Sequence, residues 1–359
     1  MLVLPKMRRV LALLALCALL LSACGRDEAG KRAAGPGKAE EPELCPLTGL
    51  EAEDDVERPP LAVKIDNAPV ARPQAGLESA DIVYEELAEG GITRFLAIFH
   101  CTDPDDLGPV RSARNVDPDI LVQYAPVLFG HSGAAAGVIR KVESTRGITD
   151  LRHGDHGDAY RRERGRRAPS DLFTTGEQLR GLDEAEGVKG PPRTGLEFDP
   201  ALLEQAGSPA PKGSPGGASP AAPAAAPGSS VSFSYSGTRE AVRYTYDTGA
   251  KKYLRFHGNA AHNSAGGDQL SAVNVVILKV RITAGQGVDA AGSRSPEISV
   301  VGGGDVTILR GGTSVEGRWN RSGLSDQTTF TDDAGKPIKL APGNTWIHLI
   351  PQEQQITVQ

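Results

Sequence analysis

The chain has no long hydrophobic run, no surplus of positive charge, few cysteines and no nucleotide-binding fingerprint, and each shortage removes a class of function. Its one sustained apolar stretch, residues 10–21, is shorter than the roughly 20 residues a helix needs to cross a bilayer core of about 30 Å. The segment therefore reads as an export leader rather than a membrane span. The formal net charge is −6, and three of the basic residues (Lys6, Arg8 and Arg9) precede the apolar run and would leave with the leader. Without a general basic field, nucleic acid is not an expected partner. Gly302-Gly303-Gly304 lies between two short predicted strands with no helix after it, so no phosphate-loop or dinucleotide fingerprint is present. No internal repeat is found either, and no cofactor is expected.

What the chain does have begins at Leu21-Ser22-Ala23-Cys24. Small residues after a greasy stretch, ending on a cysteine, form a lipobox. Cleavage before Cys24 would leave a first residue whose thiol carries lipid. The alternative is an ordinary leader whose cleavage site happens to adjoin a cysteine. Lipidation places the protein on the extracytoplasmic face of the cell membrane, because acyl chains contribute about 0.8 kcal/mol of membrane affinity per buried CH₂. There are four cysteines. Cys17 goes with the leader and Cys24 takes the lipid, so Cys45 and Cys101 remain, and an oxidising compartment favours a disulfide between them. Two separate buried thiols are the other possibility.

The expected organisation is a leader (1–23), a polar Gly/Pro-punctuated tether (24–44), an N-terminal domain (45–200), a linker (201–230) and a C-terminal domain (231–359). Residues 207–230 contain only Gly, Ser, Pro and Ala apart from Lys212. Such a stretch cannot bury enough apolar area to offset its ordering entropy, and as a flexible coil it would span about 27 Å. In the first domain, residues 61–66 read as a strand, and residues 81–89 and 93–100 as a hairpin around Gly90-Gly91. Residues 116–124 read as a helix with Asn115 as its N-cap, residues 126–130 as a short strand, and residues 134–142 as a small-residue helix. The expectation is an α+β domain, a mixed sheet with flanking helices. Short β-favouring runs separated by Gly, Asn, Asp and Ser predict a smaller, mainly β C-terminal domain.

The blocks VKIDNAPVARPQAGLESADIVYEELAEGGITRFLAIF (63–99), GPVRSAR (108–114) and RRAPSDLFTT (166–175), with NVVIL (274–278) and DDAGKPIKLAPGNTWIHLIP (332–351), resemble the YerB-type bacterial lipoproteins. The resemblance covers most of the chain outside the tether and linker. It implies a membrane-anchored, two-domain extracytoplasmic protein and assigns no reaction. Two positions depart from the family pattern: Ser170-Asp171 stands where His-Asn is usual, and Gly133-Ala134-Ala135 where Gly-Gly-Ser is usual.

Arg72, Arg94, Arg111 and Arg114 sit within these blocks, beside Gly, Pro or Ser. Arg111 and Arg114 precede a predicted helix N-terminus, where free N–H groups already favour an anion. Guanidinium forks suit carboxylate or phosphate. The competing reading pairs them internally with Asp66, Asp81, Glu85 and Glu89. Asp66-Asn67 ends a predicted strand, and Asp66 or Glu85 could serve as an acid/base on a glycan. Glu85 and Glu89 would stand about 13 Å apart on a strand, beyond the roughly 9.5 Å limit for inverting glycosidases. His131 could shuttle a proton. Gly130-His131-Ser132-Gly133-Ala134 nearly matches a nucleophile elbow, but a helix cap is the simpler reading. His153, Asp155, His156 and Asp158 resemble metal ligands beside a run of arginines that disfavours a cation, and His257 and His262 form a weaker pair, so no metal is expected. The leading expectation is a binding protein for an anionic cell-wall component or envelope partner through an arginine-lined cleft formed by Asn67, Arg72, Arg94, Arg111 and Arg114. The alternative is a hydrolase of an envelope polymer.

Overall fold

Alternating and continuous apolar runs near residue 60 and residue 275 set the frame. In the computed structural model, which describes residues 42–52, 55–204, 226–235, 241–288 and 292–359, the strands Leu61–Asp66, Ile82–Leu87 and Thr93–Phe99 have every residue buried. Strands covered on both faces carry such continuous apolar sequences. Ile82–Leu87 and Thr93–Phe99 form the expected antiparallel hairpin. Its turn needs glycine, since Gly90 and Gly91 stand at φ 71° and 69°. Leu61–Asp66 pairs antiparallel with Thr93–Phe99 and parallel with Val127–Gly130, which pairs parallel with Ile148–Asp150.

The other edge of the hairpin was not foreseen. Ile82–Leu87 pairs parallel with Thr345–Pro351, from the far end of the chain. That strand continues through Asn274–Val280, Gly302–Arg310, Thr313–Arg321 and Thr329–Thr331 in one eleven-stranded sheet. The segments expected as two domains thus complete a single sheet, and Pro42–Gln359 forms one compact unit. The linker divides the sequence and does not divide the core. A second, six-stranded sheet contains Ser230–Phe233, Val242–Asp247 and Lys252–His257. It packs on this junction, with Tyr244 edge-on to Trp346 and the Tyr235 hydroxyl donating to the Glu85 carbonyl at 3.0 Å.

The chain is strand-rich, and the α content expected of the N-terminal segment is small. The longest helix among the described residues, Ala136–Ser144, has nine residues. The helix expected over 116–124 is the five-residue Asp117–Leu121 followed by a 3-10 turn, Val122–Tyr124. Asn115 does not cap it; Asp117 Oδ2 accepts the Arg114 N–H at 2.6 Å and closes that end itself. Of the short β runs expected in the C-terminal segment, those near residues 231, 242, 253, 275, 306 and 346 are strands. The run expected over 298–301 is not: the strand there is Arg294–Ile298 and ends where that run was to begin. Cys24, the leader, most of the tether and most of the linker lie outside the described residues.

Cys45 and Cys101 are joined, tying the segment before the first strand to the end of Thr93–Phe99 across 56 residues. Closing a loop of that length in the unfolded chain contributes about 4 kcal/mol of stability on the chain-entropy account. Cys45→Ser/Cys101→Ser is expected to lose about that much in urea unfolding. A loss below about 1 kcal/mol would show the bridge to be dispensable for stability.

Candidate functional site

Three parallel strands end together: Leu61–Asp66, Val127–Gly130 and Ile148–Asp150. Ligands of open sheets gather beyond the carboxyl ends of parallel strands. This end carries Asp66, His131 just past Gly130, and Asp150, and Arg94 joins it as the cross-strand partner of Asp66. The Arg111–Arg114 segment is stitched across it. Arg111 N donates to the Lys64 carbonyl at 2.8 Å, Ser132 N to the Arg111 carbonyl at 3.0 Å, and Ala113 N to the Gly133 carbonyl at 2.9 Å. The hydroxyls of Ser112 and Ser132 lie 3.4 Å apart.

Three of the four expected arginines converge here. Arg94 is 3% exposed and donates through Nη1 to the Ser112 carbonyl at 2.9 Å. Among the described residues it forms no ion pair. Arg111 Nε lies 3.2 Å from Asp66 Oδ2 without hydrogen-bond alignment. Arg114 pairs with Glu89 and also donates to the carbonyls of Ser112 and Ala113. The Nε atoms of Arg94, Arg111 and Arg114 are all buried without a hydrogen-bond partner. Burial first, then the charges of Arg114 and Arg111, push Arg94 down to about 10. Arg72 serves otherwise, donating to Asn67 Oδ1 and the Asn67 carbonyl at 3.3 and 3.2 Å.

The expected helix N-terminus at Asp117 is already closed by that aspartate, and the next helix offers the open one. Ala136–Ser144 follows His131-Ser132-Gly133-Ala134-Ala135, and its N-cap, Ala135, has no side-chain capping bond. Gly133 adopts φ 120°, and a Cβ built there would meet nothing within 4 Å. The amides of Ala136 and Gly137, ahead of Val138 N which donates to the Ala135 carbonyl at 2.9 Å, and the open space above Gly133 thus adjoin the arginine cluster.

The proposed acid/base groups fare unequally. Asp66 is buried, accepting from Ser170 Oγ at 2.7 Å and Ala68 N at 3.1 Å. Glu85 is 1% exposed, with both oxygens taken. Asn67 and Thr93 donate to Oε1 at 3.2 and 2.7 Å, Arg255 Nη2 lies 2.7 Å from Oε2, and His348 Nδ1 lies 3.2 Å from it. Burial pushes this carboxyl upward, yet Arg255, His348 and His257 together hold it well below the usual carboxylate range. Sealed inside the junction of the two chain segments, Glu85 cannot touch a polymer. His131 is wholly buried; Gly133 N donates to its Nδ1 at 3.1 Å and its Nε2 faces Asp150 Oδ1 at 3.0 Å. With both ring nitrogens engaged, it positions the 131–133 turn and is not a free proton carrier. Among the described residues the Ser132 hydroxyl meets that of Ser112 and no imidazole or carboxylate, so the elbow has no base there. Arg152 pairs with Asp150 and Asp155, which draws the His153–Asp158 loop into ion pairs.

Two buried networks escaped the sequence reading. Around Glu85, Arg255 Nη1 also meets His257 Nε2 at 3.1 Å and His262 Nδ1 at 2.7 Å. Beneath the arginines, Lys64 Nζ bridges Glu86 and Asp117, all fully buried. One ammonium serves two carboxylates there, and burial followed by the Asp117 charge pushes Glu86 up to about 8. A carboxyl whose folded value is raised contributes stability below its unfolded value and loses it as pH rises through the folded one. Glu86→Gln is therefore expected to gain stability relative to wild type between pH 5 and pH 9. A difference in urea midpoint that stays constant across that range would contradict the upward push on Glu86.

The comparisons with known proteins agree with this architecture. Residues 47–189 match the N-terminal domain and residues 231–347 the C-terminal domain of a family described as protein of unknown function DUF3048. A protein of Bacillus subtilis (strain 168) named "Putative lipoprotein YerB" is 31% identical over 352 residues, covering 96% of each chain. The crystal structure of YerB from Bacillus subtilis superposes with a TM-score of 0.71 at 28% identity, covering 88% of this chain and 99% of that one. The chain belongs to the DUF3048 family, the two-domain family that includes YerB.

Proposed function

We propose that the protein is held on the outer face of the cell membrane by lipid on Cys24 and binds an anionic cell-wall component through Arg94, Arg111 and Arg114. The observation that carries this reading is Arg94. Its guanidinium is buried with one carbonyl bond and no ion pair among the described residues. The charges of Asp66 and Glu89 offset its burial only from a distance, so an anion would complete it. The neighbouring guanidiniums, the uncapped helix and the two serine hydroxyls offer that anion further donors. The relative's description as a lipoprotein supports the anchor, as does the lipobox at residues 21–24.

The test is titration of the disulfide-intact soluble chain, lacking the leader, with a phosphodiester polymer and with polyglutamate. Arg94→Ala is expected to weaken binding of the preferred polymer at least about tenfold, the equivalent of roughly 1.4 kcal/mol, and Arg72→Ala to leave it within about twofold. Equal affinity of Arg94→Ala and wild type would remove the site. Release of polymer fragments that is abolished by Asp66→Asn would assign catalysis to Asp66 instead.

A further inference from the structure

The disulfide has an unexplained neighbour. His100 is wholly buried, and its Nε2 lies 2.9 Å from the Arg58 carbonyl. A carbonyl only accepts, so Nε2 carries the hydrogen and the Nδ1 lone pair points elsewhere. Nδ1 faces the two sulfurs, 3.5 Å from Cys101 Sγ and 3.9 Å from Cys45 Sγ. The three ligand atoms lie within 4.8 Å of one another.

We propose that Cys45, His100 and Cys101 form a bis-thiolate, mono-imidazole site for a thiophilic divalent cation of the zinc class once the disulfide is reduced. Zinc bonds of about 2.3 Å to sulfur and 2.0–2.1 Å to nitrogen, at tetrahedral angles, place N and S about 3.6 Å apart and the two sulfurs about 3.8 Å apart. The imidazole already stands at that distance from both sulfurs. Reduction has only to let the sulfurs separate.

The surroundings fix the imidazole as a ligand needs. The Nε2–H bond to a backbone carbonyl sets tautomer and ring orientation, the usual outer-shell partner of a metal-bound histidine. Asp81 Oδ2 accepts the backbone N–H of His100 at 2.6 Å and of Cys101 at 3.3 Å. Cys45 is held by a tight turn, donating to the Leu50 carbonyl and accepting from Gly49 N, both at 2.7 Å. The nearby cations are already paired, since Arg58 and Arg180 both bind Asp103. Two thiolates balance the charge of the ion, and water completes its coordination. Cys45 is 1% exposed whereas Cys101 is half-buried, so Cys101 is the sulfur open to attack. An external dithiol supplies two electrons and two protons, becomes a disulfide, and leaves two thiols here. Cation binding then releases those two protons.

The site is independent of the arginine cluster, and cobalt(II) is the probe. Under anaerobic conditions with a phosphine reductant, the reduced protein is expected to bind one cobalt(II) per chain. It should show the thiolate charge-transfer and tetrahedral ligand-field absorptions, and zinc should quench both. The oxidised protein should show neither. His100→Ala, confirmed folded in its oxidised form by far-UV circular dichroism, should bind cobalt at least about tenfold more weakly with an altered ligand-field spectrum. Absence of the thiolate band in reduced, folded wild type would overturn the proposal, as would an unchanged spectrum and affinity in His100→Ala. Should reduction unfold the chain, recovery of the native dichroism on adding zinc supports the site and failure to recover overturns it.

Discussion

Arg255→Leu is expected to destabilise the protein by about 3–5 kcal/mol, the usual consequence of removing one partner of a buried ion pair. Arg255 is fully buried, and Glu85 is 1% exposed. Their contact at 2.7 Å joins strands far apart in sequence. Without the guanidinium, Glu85 keeps only Asn67, Thr93 and His348, and its carboxylate becomes an uncompensated buried charge. The double variant Glu85→Gln/Arg255→Met should recover much of the loss, because it leaves no net charge inside and nearly preserves volume. Urea unfolding of the double variant, of Glu85→Gln and of Arg255→Met measures the coupling. Since Glu85 is held below its usual range, its contribution is complete above its unfolded value and is lost only as pH falls through the folded one. The prediction fails if Arg255→Leu unfolds within about 1 kcal/mol of wild type at neutral pH.

Cutting the chain within residues 205–225 and producing the two pieces separately should give two polypeptides that do not fold. Co-production should restore one soluble complex. Each piece alone would expose the edge formed by Ile82–Leu87 or Thr345–Pro351, which pair over Ile82↔Thr345 to Glu85↔His348. These strands are buried along their whole length, and an open apolar edge invites aggregation. The N-terminal piece would also lose Arg255 and strand Glu85. A monomeric N-terminal piece with a cooperative thermal transition of its own would refute this, and would restore the two independent domains that the linker composition suggests.

How much of this was legible depends on how local the signal is. The hairpin around Gly90-Gly91 could be read directly, because two β-favouring runs and a turn requiring positive φ lie within twenty residues. Elimination among four cysteines left Cys45 and Cys101 as either a bridge or two separate thiols, and the fold joins them. Arg94, Arg111 and Arg114 could be nominated from their Gly, Pro and Ser neighbours. Their helix could not be chosen, since which N-terminus is free depends on Asp117 folding back onto Arg114 N. Glu85 and Asp66 look alike in the sequence, both acidic residues within or ending a strand. One is sealed by Arg255 and His348, and the other stands beside Arg111 at the strand ends.

Residue order alone was enough to set out most strand positions and the hairpin, because periodicity and turn chemistry act over a few residues. Tertiary structure alone decided that Ile82–Leu87 lies beside Thr345–Pro351, and hence that two sequence segments share one sheet. It also decided which charges meet a partner directly, as Glu85 meets Arg255, and which, like Arg94, form no ion pair among the described residues. Parallel pairing across more than 250 residues leaves no local mark, and the state of a charged group is set by burial and by partners that only folding brings near.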